Sequence, residues 1–230
     1  MSLIATITLL IALVALWIVR RSWHIAWERP AILIVALQAL DILLVTGPVS
    51  RCLGPKLYAL TGVWNFEELI GHICYMISMF TLLYLVADRL DMTPRQFRFF
   101  VRYRIELPAT LVIALMVAIF VSKMGDWYVP DTIAAHTTPW SYLYWLTMIA
   151  GIAWVLVQVA QVLMILRRDP RSRRAADAYL CAISVSAVCC VAFILALEPL
   201  QWLLVRGEVV GYAIAASYSW RSKEAYLRGR

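Results

Sequence analysis

Asp41 is the only charged residue between positions 30 and 50, in a run that is otherwise almost wholly apolar. Eleven helical residues past Pro30 rise about 16 Å, close to the middle of a hydrocarbon layer about 30 Å thick. An ionisable group at that depth belongs inside a bundle or against a water-filled cavity. Such a carboxyl can carry a proton, hold a cation or balance the charge of a bound solute. It can also be a protonated structural group bonded to Gln38, three residues earlier, or to a polar group on another helix.

Residues 65–72 read NFEELIGH and hold a second candidate. Glu68 and His72 are four apart and share one helical face. A metal needs three or four ligands, and Asp126, Asp131 and His136 stand at no diagnostic spacing, so no metal site is expected. The pair fits a proton-responsive outer mouth better, because histidine titrates near neutrality. The plainer reading is a helix start, with Asn65 as N-cap and Glu67 and Glu68 in the first turn. Gln158 and Gln161, three apart, line a polar path or knit helices together. Ser184 and Ser186 read the same way. Gly71, Gly151 and Gly211 mark close helix approach.

Catalysis and cofactors find no support. The five cysteines (52, 74, 181, 189 and 190) match no zinc spacing, and only Cys52 and Cys74 are placed to meet. Lys223 falls beyond the last apolar run, where a retinal lysine would not sit. The three histidines, His24, His72 and His136, cannot make paired haem ligation across a membrane. No phosphate loop, serine elbow or zinc-protease motif occurs. The expectation is a protein without enzymatic activity, catalytic residues, metal or cofactor.

The elements that must position these residues are set by composition. Of 230 residues 63% are hydrophobic and 15% charged, with a mean hydropathy of +0.78; a water-soluble domain is about 45–50% apolar and about 25% charged. Apolar runs near 2–19, 30–50, 66–87, 105–122, 140–166, 177–197 and 200–220 predict an all-α, polytopic transmembrane bundle of seven helices in a single domain, 1–230. Arg20 and Arg21 follow the first run rather than preceding it, which predicts a retained helix and not a cleaved signal. Of the 21 basic residues, only Arg51, Lys56, Lys123 and Arg206 fall in outer segments when the N-terminus is outside and the C-terminus cytoplasmic. The net charge of +7 thus lies beside membrane-edge segments and points away from nucleic acid.

Two segments need separate treatment. Thr93, Pro94 and Gln96 form a capping-box pattern before QFRFFVRYR, whose arginines suit anionic lipid headgroups at the inner face or simply extend the fourth helix. Arg206 and Glu208 stand near the start of the seventh run. A buried charge costs about 2.5–3.5 kcal/mol on insertion scales, which favours placing both at the outer surface, with Pro199 either kinking the sixth helix or marking a tight turn. Tryptophans 17, 23, 27, 64, 127 and 140 fit an interfacial aromatic belt.

The seven Arg-bounded helices, with Asn65, Leu69, Gly71 and His72 at the entrance of the third, resemble actinobacterial seven-helix integral membrane proteins labelled transporters. That resemblance implies a multi-pass protein of the bacterial cytoplasmic (inner) membrane. The expected function is binding or transport of a small solute or ion through an intramembrane polar site. The alternative is an accessory, sensor or interaction subunit without transport activity. The bilayer is the expected partner, with a protein partner or homo-oligomer left open.

Overall fold

In the computed structural model the described residues are 2–25, 28–126, 128, 138–195 and 197–228, with side chains to 221 except at 2, 21, 198 and 199. They are helical, with no strand among them. Trp27, Trp127, Asp131 and His136 lie outside the described residues.

The first helix, α1 (Ser2–Val19), ends in a 3-10 turn at Arg20–His24. Helix α2 (Arg29–Leu44) opens with Pro30 in its first turn, where a missing N–H costs nothing. It stops six residues short of the expected 50. Pro48 has no N–H for the Leu44 carbonyl and its ring would clash there. The Thr46 hydroxyl instead donates to the Leu43 carbonyl at 2.7 Å, and α3 (Gly47–Thr61) leaves at 81° to α2. Gly62, at φ 71°, closes α3 by donating to the Tyr58 carbonyl. Asn65, also left-handed at φ 55°, opens α4 (Phe66–Ala87); asparagine tolerates that conformation better than most residues.

The fourth apolar run starts eleven residues before its expected position, 105. The capping box forms, with Thr93 N–H donating to Gln96 Oε1 at 2.9 Å, and α5 (Pro94–Phe100) runs through a π turn (Val101–Glu106) into α6 (Leu107–Lys123). Here too a proline explains the irregularity. Pro108 cannot donate to the Arg104 carbonyl, and the Trp154 indole N–H fills that position at 3.3 Å. Helices α7 (Pro139–Leu166), α8 (Arg173–Ile194) and α9 (Glu198–Arg228) complete the chain. Pro199 sits in the first turn of α9, so the chain turns there instead of kinking.

Helices α2, α4, α7, α8 and α9 pack side by side as a ring, because α9 also reaches α2. Helix α1 lies behind α2 and α9, and α6 lies behind α4 and α7. Helices α4, α5–α6, α7 and α8 are long and apolar enough to cross a membrane. The bent pair α2–α3 makes a fifth if it counts as one span, and α1 is apolar but shorter.

Candidate functional site

Asp41 comes from the last turn of α2 and is 5% exposed. It is pressed against α4 at Gly71: a Cβ there would lie 3.0 Å from Asp41 Oδ1 and 3.1 Å from Val45 Cγ2. Glycine therefore sets the α2–α4 spacing at the acid, as the close-approach reading expects. Gln38 is fully buried one turn earlier, yet neither its amide oxygen nor its nitrogen finds a hydrogen-bond partner among the described residues. Gln38 is thus not the partner of Asp41, whose own Oδ1 also lacks one. Buried groups of this kind are normally satisfied by protein or by water.

Across the ring, α9 supplies two more charges. Arg206 and Glu208 are buried inside the helix, 7% and 1% exposed, which corrects the expectation of an outer-surface pair. The single-residue insertion cost misleads because other helices provide partners. Tyr75 of α4 donates to Glu208 Oε1 at 2.6 Å, and Ser186 of α8 stands beside the same carboxyl. Ser186 also lies 3.0 Å from the Tyr212 hydroxyl. The Arg206 guanidinium stacks on Trp202 at 4.2 Å and donates to that residue's carbonyl at 2.8 Å. Asp41 is within electrostatic reach of both Glu208 and Arg206.

His72, one turn past Glu68, is buried with its Nδ1 2.8 Å from the Tyr144 hydroxyl of α7. Its ring meets Trp145 edge-on at 5.0 Å. Glu68 is buried on the same face of α4, and Tyr144 is within electrostatic reach of both Glu68 and Asp41. The presumed outer mouth is therefore a covered one. Helix α3 lies over it: Ser50 donates to Glu67 Oε1 at 2.7 Å, and a Cβ on Gly54 would approach that oxygen to 3.1 Å.

These groups line a cavity of about 50 Å³ inside the ring, among them Asp41, His72, Tyr75, Ser186, Arg206 and Glu208. One water needs about 10–15 Å³, so the space takes a few waters or one small ion with its shell. Its remaining wall is apolar, from Ile42, Met148, Ile152, Phe193 and Trp202. Charges facing each other across such a wall interact far more strongly than they would in water.

Gln158 and Gln161 do not belong to this cavity. Gln158 accepts from Arg104 Nη1 at 3.3 Å and ties α7 to the π turn, while Gln161 is exposed on the bundle's outside. Gly151 and Gly211 are packing positions, against Met76 and Val112 and against Ala182. Cys52 and Cys74 are both free thiols, one exposed and one buried. Among the described residues no three His, Cys, Asp or Glu side chains converge as a metal site.

Tyr75, Tyr212, Arg206 and Glu208 are the residues that sequence reasoning missed as a site, whereas Ser186, read as a polar-path or helix-knitting residue, does line the cavity. A signal existed: Glu68, His72 and Tyr75 recur at helical spacing, as do Glu208 and Tyr212. No protein-family model, curated protein or solved structure matches this chain.

Proposed function

We propose that the chain is a seven-span protein of the bacterial cytoplasmic membrane, N-terminus outside, that binds and moves a proton or small cation through the Asp41–Glu208 cavity. The observation that carries this reading is two carboxylates and one guanidinium facing a single small cavity within apolar helices. Ionised, they leave one negative charge uncompensated. A proton shared by the two acids, or one small cation between them, restores balance. Each buried charge costs about 2.5–3.5 kcal/mol on insertion scales, a cost that a purely structural bundle has no reason to carry three times. The skew of basic residues sets α3 and its Glu67–Ser50 contact on the outer side, where they cap the cavity. The resemblance to seven-helix transporters points the same way.

The test uses the full chain in pyranine-loaded vesicles under a potassium–valinomycin potential, together with tryptophan fluorescence of the solubilised protein titrated with sodium and with methylammonium. Trp145 and Trp202 line the cavity and report its occupancy. Wild type is expected to give proton flux at least tenfold above empty vesicles or a saturable fluorescence change. Asp41→Asn abolishes whichever signal appears, and Glu106→Gln, exposed on the π turn, preserves it. Full signal in Asp41→Asn overturns the site. Silence of wild type in all three assays, with a co-purifying protein in native mass spectra, favours the accessory-subunit reading.

A further inference from the structure

A second cavity, of about 120 Å³, opens at the other end of the bundle, where the arginines cluster. It shares no lining residue with the ring cavity. The start of α2, the end of α4, the first turn of α8 and the last turns of α9 meet there. Glu28, Arg89, Arg171, Tyr179 and Ser219 face it, with Ala175 and Ala176 from the first turn of α8.

The donors at this cavity are only partly used. Arg89 Nη2 donates to Glu28 Oε1 at 2.8 Å, but Arg89 Nε is buried with no hydrogen-bond partner among the described residues. Tyr179 is 5% exposed, lies within electrostatic reach of Glu28 and Arg89, and faces the cavity. In the first turn of α8 the Arg173 N–H is taken by the Asp169 carbonyl at 2.9 Å, and the next N–H groups and the positive end of the helix dipole remain. Of the neighbouring acids, one stands at the rim beside Arg171 and one is paired away from the cavity. Asp169 accepts from Arg171 N–H and from the Ser172 hydroxyl, and Asp177 pairs with Arg167 at 2.7 Å. The lining itself holds two arginines against Glu28, with Asp169 beside Arg171 at the rim.

We infer that this cavity is a binding site for a phosphate group, held by Arg89, Arg171, the Tyr179 hydroxyl and the start of α8. A tetrahedral oxyanion matches several donors converging from different directions, and helix starts bind such anions through the same combination of N–H groups and dipole. The volume is about ten times what one water needs, so the site admits several heavy atoms but not a nucleotide. Free phosphate and the phosphate of an anionic lipid present the same chemistry, since basic pockets between helices also take lipid headgroups.

The solubilised full chain is titrated with inorganic phosphate by calorimetry and thermal unfolding. In parallel it is reconstituted in phosphatidylcholine vesicles with and without phosphatidic acid, and retained lipid is read by native mass spectrometry. Wild type is expected to bind one of the two. Tyr179→Phe, which removes only a hydroxyl, weakens that binding at least fivefold, and Arg171→Gln does the same from the exposed rim. Asp41→Asn leaves it unchanged, which separates this site from the ring cavity. Binding of phosphate identifies a soluble ligand, and retention of phosphatidic acid identifies a lipid. Wild type that binds neither, or Tyr179→Phe that binds as tightly as wild type, overturns the inference.

Discussion

Helices α4 and α6 are neighbours, and both pass as membrane spans on length and apolarity. They are held in opposite ways. In α4, 72% of the most apolar 18-residue stretch is buried inside the protein; in the α5–α6 span the figure is 22%, although α6 is the more apolar of the two. Helix α4 carries Glu67, Glu68, His72, Tyr75 and Ser78, all buried. Helix α6 turns Leu107, Leu111 and Leu115 outward. In water the more apolar helix would be inside. Against lipid tails, which are as apolar as leucine, the polar helix goes inside and the apolar one surrounds it. Polar side chains therefore mark the interior of this bundle, and the candidate site is built on the helix that has most of them.

The contrast breaks most severely at Gly71. Replacing it with valine drives carbon into Asp41 Oδ1 and Val45 Cγ2, both within about 3 Å of where the Cβ must sit. The expected loss is about 1–3 kcal/mol, read as a lower unfolding midpoint in detergent, together with loss of any signal that depends on Asp41. Gly207 gives the control from within α9, between Arg206 and Glu208. A Cβ there meets nothing closer than Val185 Cγ1 at 3.8 Å. Gly207→Ala should leave stability unchanged or raise it by about 0.5–1 kcal/mol, the helix-interior penalty of glycine. Equal midpoints for the two variants would remove the claim that Gly71 is needed because α2 and α4 touch there.

Sequence reading reached the helical class and the apolar runs of the four or five candidate spans because apolarity over about 20 residues is a collective signal. It found Asp41 because a lone charge in such a run stands out. It misplaced Arg206 and Glu208 because the insertion cost was counted residue by residue, whereas Tyr75 of α4 bonds Glu208 and Trp202, one turn back on α9, holds Arg206. Gln161 failed for a different reason. Helix α7 is apolar nearly all round, so nothing in its periodicity tells which glutamine faces inward. The break after Leu44 was legible in Pro48, but an apolar window averages over a single proline. The two cavities were beyond reach, since each draws its lining from helices far apart in the chain.

A smaller effect is expected where α6 joins α7. The Trp154 indole donates to the Arg104 carbonyl that Pro108 leaves unpaired, and the Arg104 guanidinium stands 5.6 Å over the same ring. Trp154→Phe removes the donor and should cost about 0.5–1.5 kcal/mol, the usual net value of one hydrogen bond. In a Pro108→Ala background the backbone N–H of residue 108 can serve that carbonyl, so the same change should cost less. A double-mutant cycle on unfolding midpoints measures the difference. Identical costs in both backgrounds would mean that the indole acts through packing and not through the proline's missing donor.

The smallest effect belongs on the outer stripe of α6. Leu111 is 62% exposed in the isolated chain; in a bilayer its neighbours are acyl chains, which close around a shortened side chain without leaving a void. Leu111→Ala should therefore stay within about 0.5 kcal/mol of wild type, whereas Leu82→Ala, fully buried in α4, should cost about 2–5 kcal/mol because its packed surroundings cannot collapse into the gap. The comparison is best made on unfolding midpoints of the protein in vesicles, where lipid is present. A cost at Leu111 approaching that at Leu82 would mean that protein, not lipid, covers the stripe. If that protein is a second copy of the chain, the excess cost falls as the protein is diluted in lipid, because the contact is then already lost in wild type.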